Sequence, residues 1–169
     1  MTTSALKQAV LGDLDHEIAT TRRVLERVPE ERYGWRPHDK SWTLGELCAH
    51  LQNLVFWHRL ILEEDGFDLA ASPPPRTVPE SNEELLRLFD EQKKALDAAV
   101  GRIDENALGQ TWTLRRGDQV IFERPRAAVL RGMGISHMVH HRGQLGVYLR
   151  LLDVPVPATY GPSADEQTF

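Results

Sequence analysis

Apolar residues recur at helical spacing in four long stretches of this chain, and that repetition leaves few architectures open. Leu6, Val10, Leu14, Ile18, Leu25 and Val28 mark one face of the first stretch, roughly Ser4 to Val28, with Pro29 as a stop signal. Leu47, His50, Leu54, Trp57 and Ile61 mark the second, which Thr43 and Glu46 open as a capping box and which runs to about Glu64. Leu51, Val55 and Leu62 add a second strip to that helix, for packing against two neighbours or for a dimer contact. Ser81 and Glu84 cap the third stretch, whose core face is Leu85, Phe89, Leu96, Val100 and Ile103. The fourth starts at Pro125 and runs to about Leu152, ended by Pro155 and Pro157.

The connections complete the pattern. YGWRPHDKSWTLGEL (33–47) carries Trp35 and Trp42, large aromatics placed to bury area. GFDLAASPPPRTVPE (66–80) is a long crossover loop, partly extended and too short to separate two domains. TWTLRRGDQVIF (111–122) changes period to two short β-prone runs about a Gly-Asp turn, a small hairpin or ordered loop. The tail VPVPATYGPSADEQTF lies over the bundle. The expected fold is all-α, an up-and-down four-helix bundle with one long crossover, in a single domain covering 1–169.

Polar residues interrupt these apolar faces at three informative places. In ISHMVHHRGQL (135–145), His137 and His141 are four residues apart, about 40° on a helix. Leu130, Leu145, Tyr148 and Leu152 fall on the same side by the same count. Two inward imidazoles without partners are poorly satisfied, and a bound metal ion satisfies both. A third nitrogen must then come from another helix, where His50 is the best-placed candidate, although a core histidine hydrogen-bonded to a neighbour explains His50 alone. Such a trio suits Zn²⁺, Ni²⁺ or Fe²⁺ and leaves a position open for water or substrate. His140 projects off the stripe, and His58, about 80° from His50, reads as pocket wall or surface. His38 is a surface loop residue, His16 faces outward, and Glu17 is a carboxylate at the edge of the first stripe. Arg115, Arg116, Arg124 and Arg126 form a local positive patch, either solvated or able to receive an anionic ligand group.

Composition removes other classes. A net charge of −5 and a pI near 5.8 argue against nucleic acid as a partner. No apolar run is long enough to span a bilayer, MTTSALKQAV lacks the apolar core of a signal peptide, and the single Cys48 cannot form an intrachain disulfide, so a cytoplasmic protein is expected. There is no Walker loop, no G-x-S-x-G and no G-x-G-x-x-G, and Glu46 with His50 misses the Glu-x-x-His spacing of di-iron bundles.

HMVHHRGQLGVYLRLLDVPVPATYGPSADE resembles the C-terminal signature of the DinB-like family, and TLGELCAHLQNLVFWH resembles that family's second-helix segment with its single metal-binding histidine. The resemblance implies His50, His137 and His141 as ligands of a divalent metal, Gln144 either supporting them or packing a helix, and a homodimer. Some relatives are transferases or isomerases that use low-molecular-weight thiols such as bacillithiol or mycothiol. The expected function is therefore metal-dependent chemistry on a small molecule, with thiol-dependent S-transfer the leading reading. A metal-dependent hydrolase and a non-enzymatic metal-binding stress-response bundle are the alternatives.

Overall fold

Gly12 and Asp13 break what the spacing reads as one first helix. In the computed structural model, which describes residues 5–71 and 77–167, this segment forms α1 (Ala5–Leu11) and α2 (Leu14–Leu25). The Gly12 amide donates to the Gln8 carbonyl, and a Cβ on Gly12 would lie 2.5 Å from that oxygen. Glycine is also a poor helix-interior residue, so the chain turns here. The expected start at Ser4 lies outside the described residues.

The capping box at Thr43 forms as expected. The Thr43 hydroxyl accepts from the Glu46 amide at 3.2 Å, the Glu46 carboxylate accepts from the Thr43 amide at 2.7 Å, and α3 (Leu44–Glu63) follows. This helix is central, because Leu47, Leu54 and Ile61 on one strip and Leu51, Val55 and Leu62 on the other are all buried within the chain. It packs against α4 (Asn82–Arg102) and the last helix, so its second strip lends no support to a dimer contact. The Ser81 hydroxyl caps α4 through the Glu84 amide, but the Glu84 carboxylate accepts from the Glu80 amide. Leu85, Phe89 and Leu96 are core, while Val100 and Ile103 pack half-buried at its edge.

One turn, α5 (Glu105–Gly109), leads into the expected hairpin, β2 (Thr111–Arg116) and β3 (Gln119–Pro125). Gly117 takes the first of its two turn positions at φ +57°, a conformation two-residue hairpins favour and glycine adopts freely. The crossover adds a strand that its sequence does not announce: β1 (Gly66–Asp68) pairs in parallel with β2, Gly66 opposite Thr113. Three residues are too few to show alternation, and a Cβ on Gly66 would sit 2.5 Å from the Thr113 carbonyl. The proline run at 72–76 lies outside the described residues.

After Pro125 the last helix comes in three parts: α6 (Arg126–Val129), a wide π-helical turn (Leu130–Ser136) and α7 (His137–Leu151). The buried Arg126 guanidinium ties this start to the crossover, donating to the Glu64 and Ala107 carbonyls at 2.9 Å and to Asp65 at 2.6 Å. It is a structural residue, not part of an anion patch. Arg115 pairs with Asp68, and Arg124 lies over the Phe122 ring. With α1–α2, α3, α4 and the last helix, the chain is a four-helix bundle carrying a minor three-stranded sheet. Among the described residues no helix is long and apolar enough to cross a membrane.

Candidate metal centre

His50 comes from α3, His137 opens α7 and His141 follows one turn later, all half-buried. Their rings converge, with centroids 5.0 Å apart for His50–His137, 4.5 Å for His50–His141 and 4.7 Å for His137–His141. One ligand nitrogen from each lies within 4.8 Å of the others. The Nε2 atoms of His50 and His137 are 3.2 Å apart. Two nitrogens each about 2.0–2.1 Å from a common ion lie roughly 3.0–3.5 Å apart, so this spacing suits shared coordination.

The outer nitrogen of one of these rings is already engaged. His141 Nδ1 donates to Gln144 Oε1 at 2.7 Å, which leaves the Nε2 lone pair free to face inward. Gln144 therefore orients a candidate ligand rather than packing the helix. His137 presents Nε2 to His50. Burial holds both His137 and His141 below the usual histidine range, with neighbouring imidazoles acting the same way. Neutral imidazoles with fixed tautomers are what a divalent cation requires. His140 is exposed and packs edge-on against His141 from outside. Trp42 covers the cluster, stacked on His141 at 5.4 Å and edge-on to His50 at 4.9 Å, and its carbonyl accepts from the Tyr148 hydroxyl.

His58 is neither pocket wall nor surface. It is fully buried, its Nδ1 donating to the Leu54 carbonyl at 2.6 Å, and its Nε2 makes no hydrogen bond among the described residues. That nitrogen abuts Gly134 in the wide turn, where a Cβ would lie 2.8 Å from the ring. Glycine thus lets the turn close over the imidazole. Burial pushes the His58 pKa down to about 4, against the opposing pull of the Leu54 carbonyl. An unfolded histidine protonates near 6.5, so between pH 6.5 and 4 the unfolded chain binds the extra proton and stability is lost as pH falls. Metal-free protein should lose about 3 kcal/mol to this group between pH 7 and pH 4. Denaturant unfolding at the two pH values checks this. His58→Phe should flatten the profile, and an equally steep profile in that variant would refute the assignment.

Sequence reasoning missed Arg142. The buried face of α7 is Met138, Arg142, Leu145 and Leu149, and the histidines flank it together with the half-buried Tyr148. The Arg142 guanidinium is 2.7 Å from the Glu17 carboxylate and donates to the Glu17 carbonyl at 3.0 Å. Tyr160, in the tail, donates to the same carboxylate at 2.6 Å and lies beneath the guanidinium. Glu17 is therefore a buried partner rather than an edge residue. The signal for Arg142 was available, since it shares a helical face with Met138, Leu145 and Leu149.

Two unlike cavities flank the imidazoles. One, of about 300 Å³, is lined by Lys40, Ser41, Trp42, Gln144 and Tyr148 beside His141. The other, of about 170 Å³, is lined by Asn53, Leu54, Trp57, Leu69, Leu114 and Met133 beside His50 and His137. Neither Arg126 nor the hairpin's Arg115, Arg116 and Arg124 lines either cavity. Cys48 is buried and its thiol is pushed well above the ordinary range, so it is no nucleophile.

Known proteins share this architecture. The uncharacterized protein YrdA of Bacillus subtilis (strain 168) is 26% identical over 164 residues, covering 92% of this chain and 89% of its own length. A DinB-like protein from Bacillus subtilis, YjoA, superposes with a TM-score of 0.69 at 18% identity, over 95% of this chain and 99% of its own. A mycothiol-dependent maleylpyruvate isomerase shares the fold more loosely, with a TM-score of 0.52 at 17% identity over 95% of this chain and 66% of its own. The sequence model of the DinB family matches residues 1–168, and the chain belongs to that family.

Proposed function

We propose that this protein holds one divalent metal ion through His50, His137 and His141 and transfers a low-molecular-weight thiol to a small electrophile. The observation that carries the reading is the convergence of three imidazoles, one with its tautomer fixed by Gln144, between two cavities. A bound Zn²⁺, Ni²⁺ or Fe²⁺ would supply Lewis acidity, lowering the pKa of a thiol held beside it. The thiol class comes from the mycothiol-dependent isomerase that shares the fold.

The chain's own residues position the reactants. Lys40 lines the larger cavity, and its ammonium has no ion-pair partner among the described residues, so it suits a carboxylate of the thiol better than the hairpin arginines do. Trp42 shields the imidazoles from bulk water on that side. In the reaction the S–H proton passes to solvent and the sulfur pair forms the new S–C bond. The leaving group departs with the electron pair of the bond it gives up, so no oxidant or reductant is needed.

Metal-loaded protein incubated with bacillithiol, mycothiol, glutathione or cysteine and a panel of electrophiles should form the thioether faster than His137→Ala does. Lys40→Ala should raise the thiol KM about threefold to fivefold, as expected for an exposed ion pair worth up to ~1 kcal/mol. If no thiol exceeds the His137→Ala background, S-transfer is wrong and hydrolysis by activated water is the reading left to test.

A further inference from the structure

The smaller cavity differs from its neighbour in chemistry as well as size. Five of its walls are the apolar side chains of Leu54, Trp57, Leu69, Leu114 and Met133, contributed by α3, the segment after β1, the hairpin and the wide turn. Leu54, Trp57 and Leu114 are buried in the core, while Leu69 and Met133 are half-buried at its edge. Asn53 is the single polar residue among them apart from His50 and His137. Such a lining, mostly apolar with one or two polar groups, is typical of small-molecule sites. A volume near 170 Å³ is close to that of an engineered apolar protein cavity of about 150 Å³ that takes up benzene. Because the cavity is walled by two of the three imidazoles, a group filling it would have its next atoms at the cluster.

We infer that this chamber selects the electrophile, admitting one aromatic ring or a branched aliphatic group of similar volume and presenting the adjoining carbon to the three imidazoles. The inference rests on the proposed function for what happens at that carbon, but the chamber's preference for a ring does not depend on a metal. Substrates whose apolar part is a fused bicycle or a long chain are excluded by volume, and small polar electrophiles gain nothing there. Leu69 and Met133 set the limit, since they form the half-buried rim and can change size with least disturbance to the core.

Two probes separate the chamber from the metal. Toluene, followed by ligand-observed NMR on metal-free protein, should bind wild type with millimolar affinity. Leu69→Trp should weaken it at least tenfold, as should Met133→Phe, each variant first shown folded by circular dichroism. On cobalt-loaded protein, benzohydroxamate should perturb the visible bands at least tenfold more tightly than acetohydroxamate, and Leu69→Trp should bring the two to parity. Absence of toluene binding to wild type, or equal affinity of the two hydroxamates, overturns the inference even if neither variant folds. Failure of cobalt to bind at all would instead overturn the proposed metal centre, with the toluene result still deciding the chamber.

Discussion

Replacing Arg142 by Ala should cost about 3–5 kcal/mol of stability, because it leaves the Glu17 carboxylate buried without its cation. The guanidinium and carboxylate are both almost fully removed from water, and Tyr160 alone would remain to hydrogen-bond the carboxylate. Denaturant unfolding measures the loss, and a change below about 1 kcal/mol would show that water reaches Glu17. The double variant Glu17→Leu with Arg142→Met should recover most of it, since replacing both members of a buried pair by apolar residues is often neutral or stabilising. Arg142 also adjoins His141, so the rotation of α7 that aims the imidazole depends on the same pair.

The second large effect concerns the cluster itself. His50→Ala, His137→Ala and His141→Ala should each abolish stoichiometric metal, whereas His140→Ala should retain it, as judged by metal analysis on protein purified without a histidine tag. Gln144→Ala keeps all three imidazoles and loses only the hydrogen bond that fixes His141, so its affinity should drop about 10- to 100-fold. Thermal unfolding gives an independent measure. Free metal at about a thousandfold over its Kd stabilises a protein that binds it only when folded by about 4 kcal/mol, and the three ligand variants should show none of this gain. Full occupancy in His50→Ala would remove α3 from the site.

The four-helix plan was legible because core burial writes itself as periodicity. The box at Thr43 and Glu46 and the Gly117 turn were legible because they are local chemistry. What escaped was decided by contacts between distant segments. Three residues at Gly66–Asp68 become a strand only because β2 is there to pair with them. The wide turn exists where Gly134 meets His58, some seventy-five residues earlier in the chain, and a count at 3.6 residues per turn from Leu130 to His137 cannot carry through it. Spacing paired His137 with His141 and put His50 on an inward face as the best-placed third nitrogen, yet the apolar stripe assigned to those histidines was displaced. The core face of α7 is centred on Arg142, which charge alone suggested should be outside. A charged residue on a buried face announces a partner, and here that partner was Glu17.

The wide turn also separates two tasks within one helix. Ahead of it, Arg126 and Val129 answer to the hairpin and to the crossover at Glu64 and Asp65. Beyond it, the imidazoles and Arg142 answer to α2 and α3. In an uninterrupted α-helix the two ends would be geared together, each residue gained or lost between their anchors swinging one against the other by about 100°. The wide turn, pinned where Gly134 meets His58, is the boundary between the two. The hairpin, which supplies Leu114 to the apolar chamber, is thus held through the first end of the helix, and the imidazoles are aimed through the second.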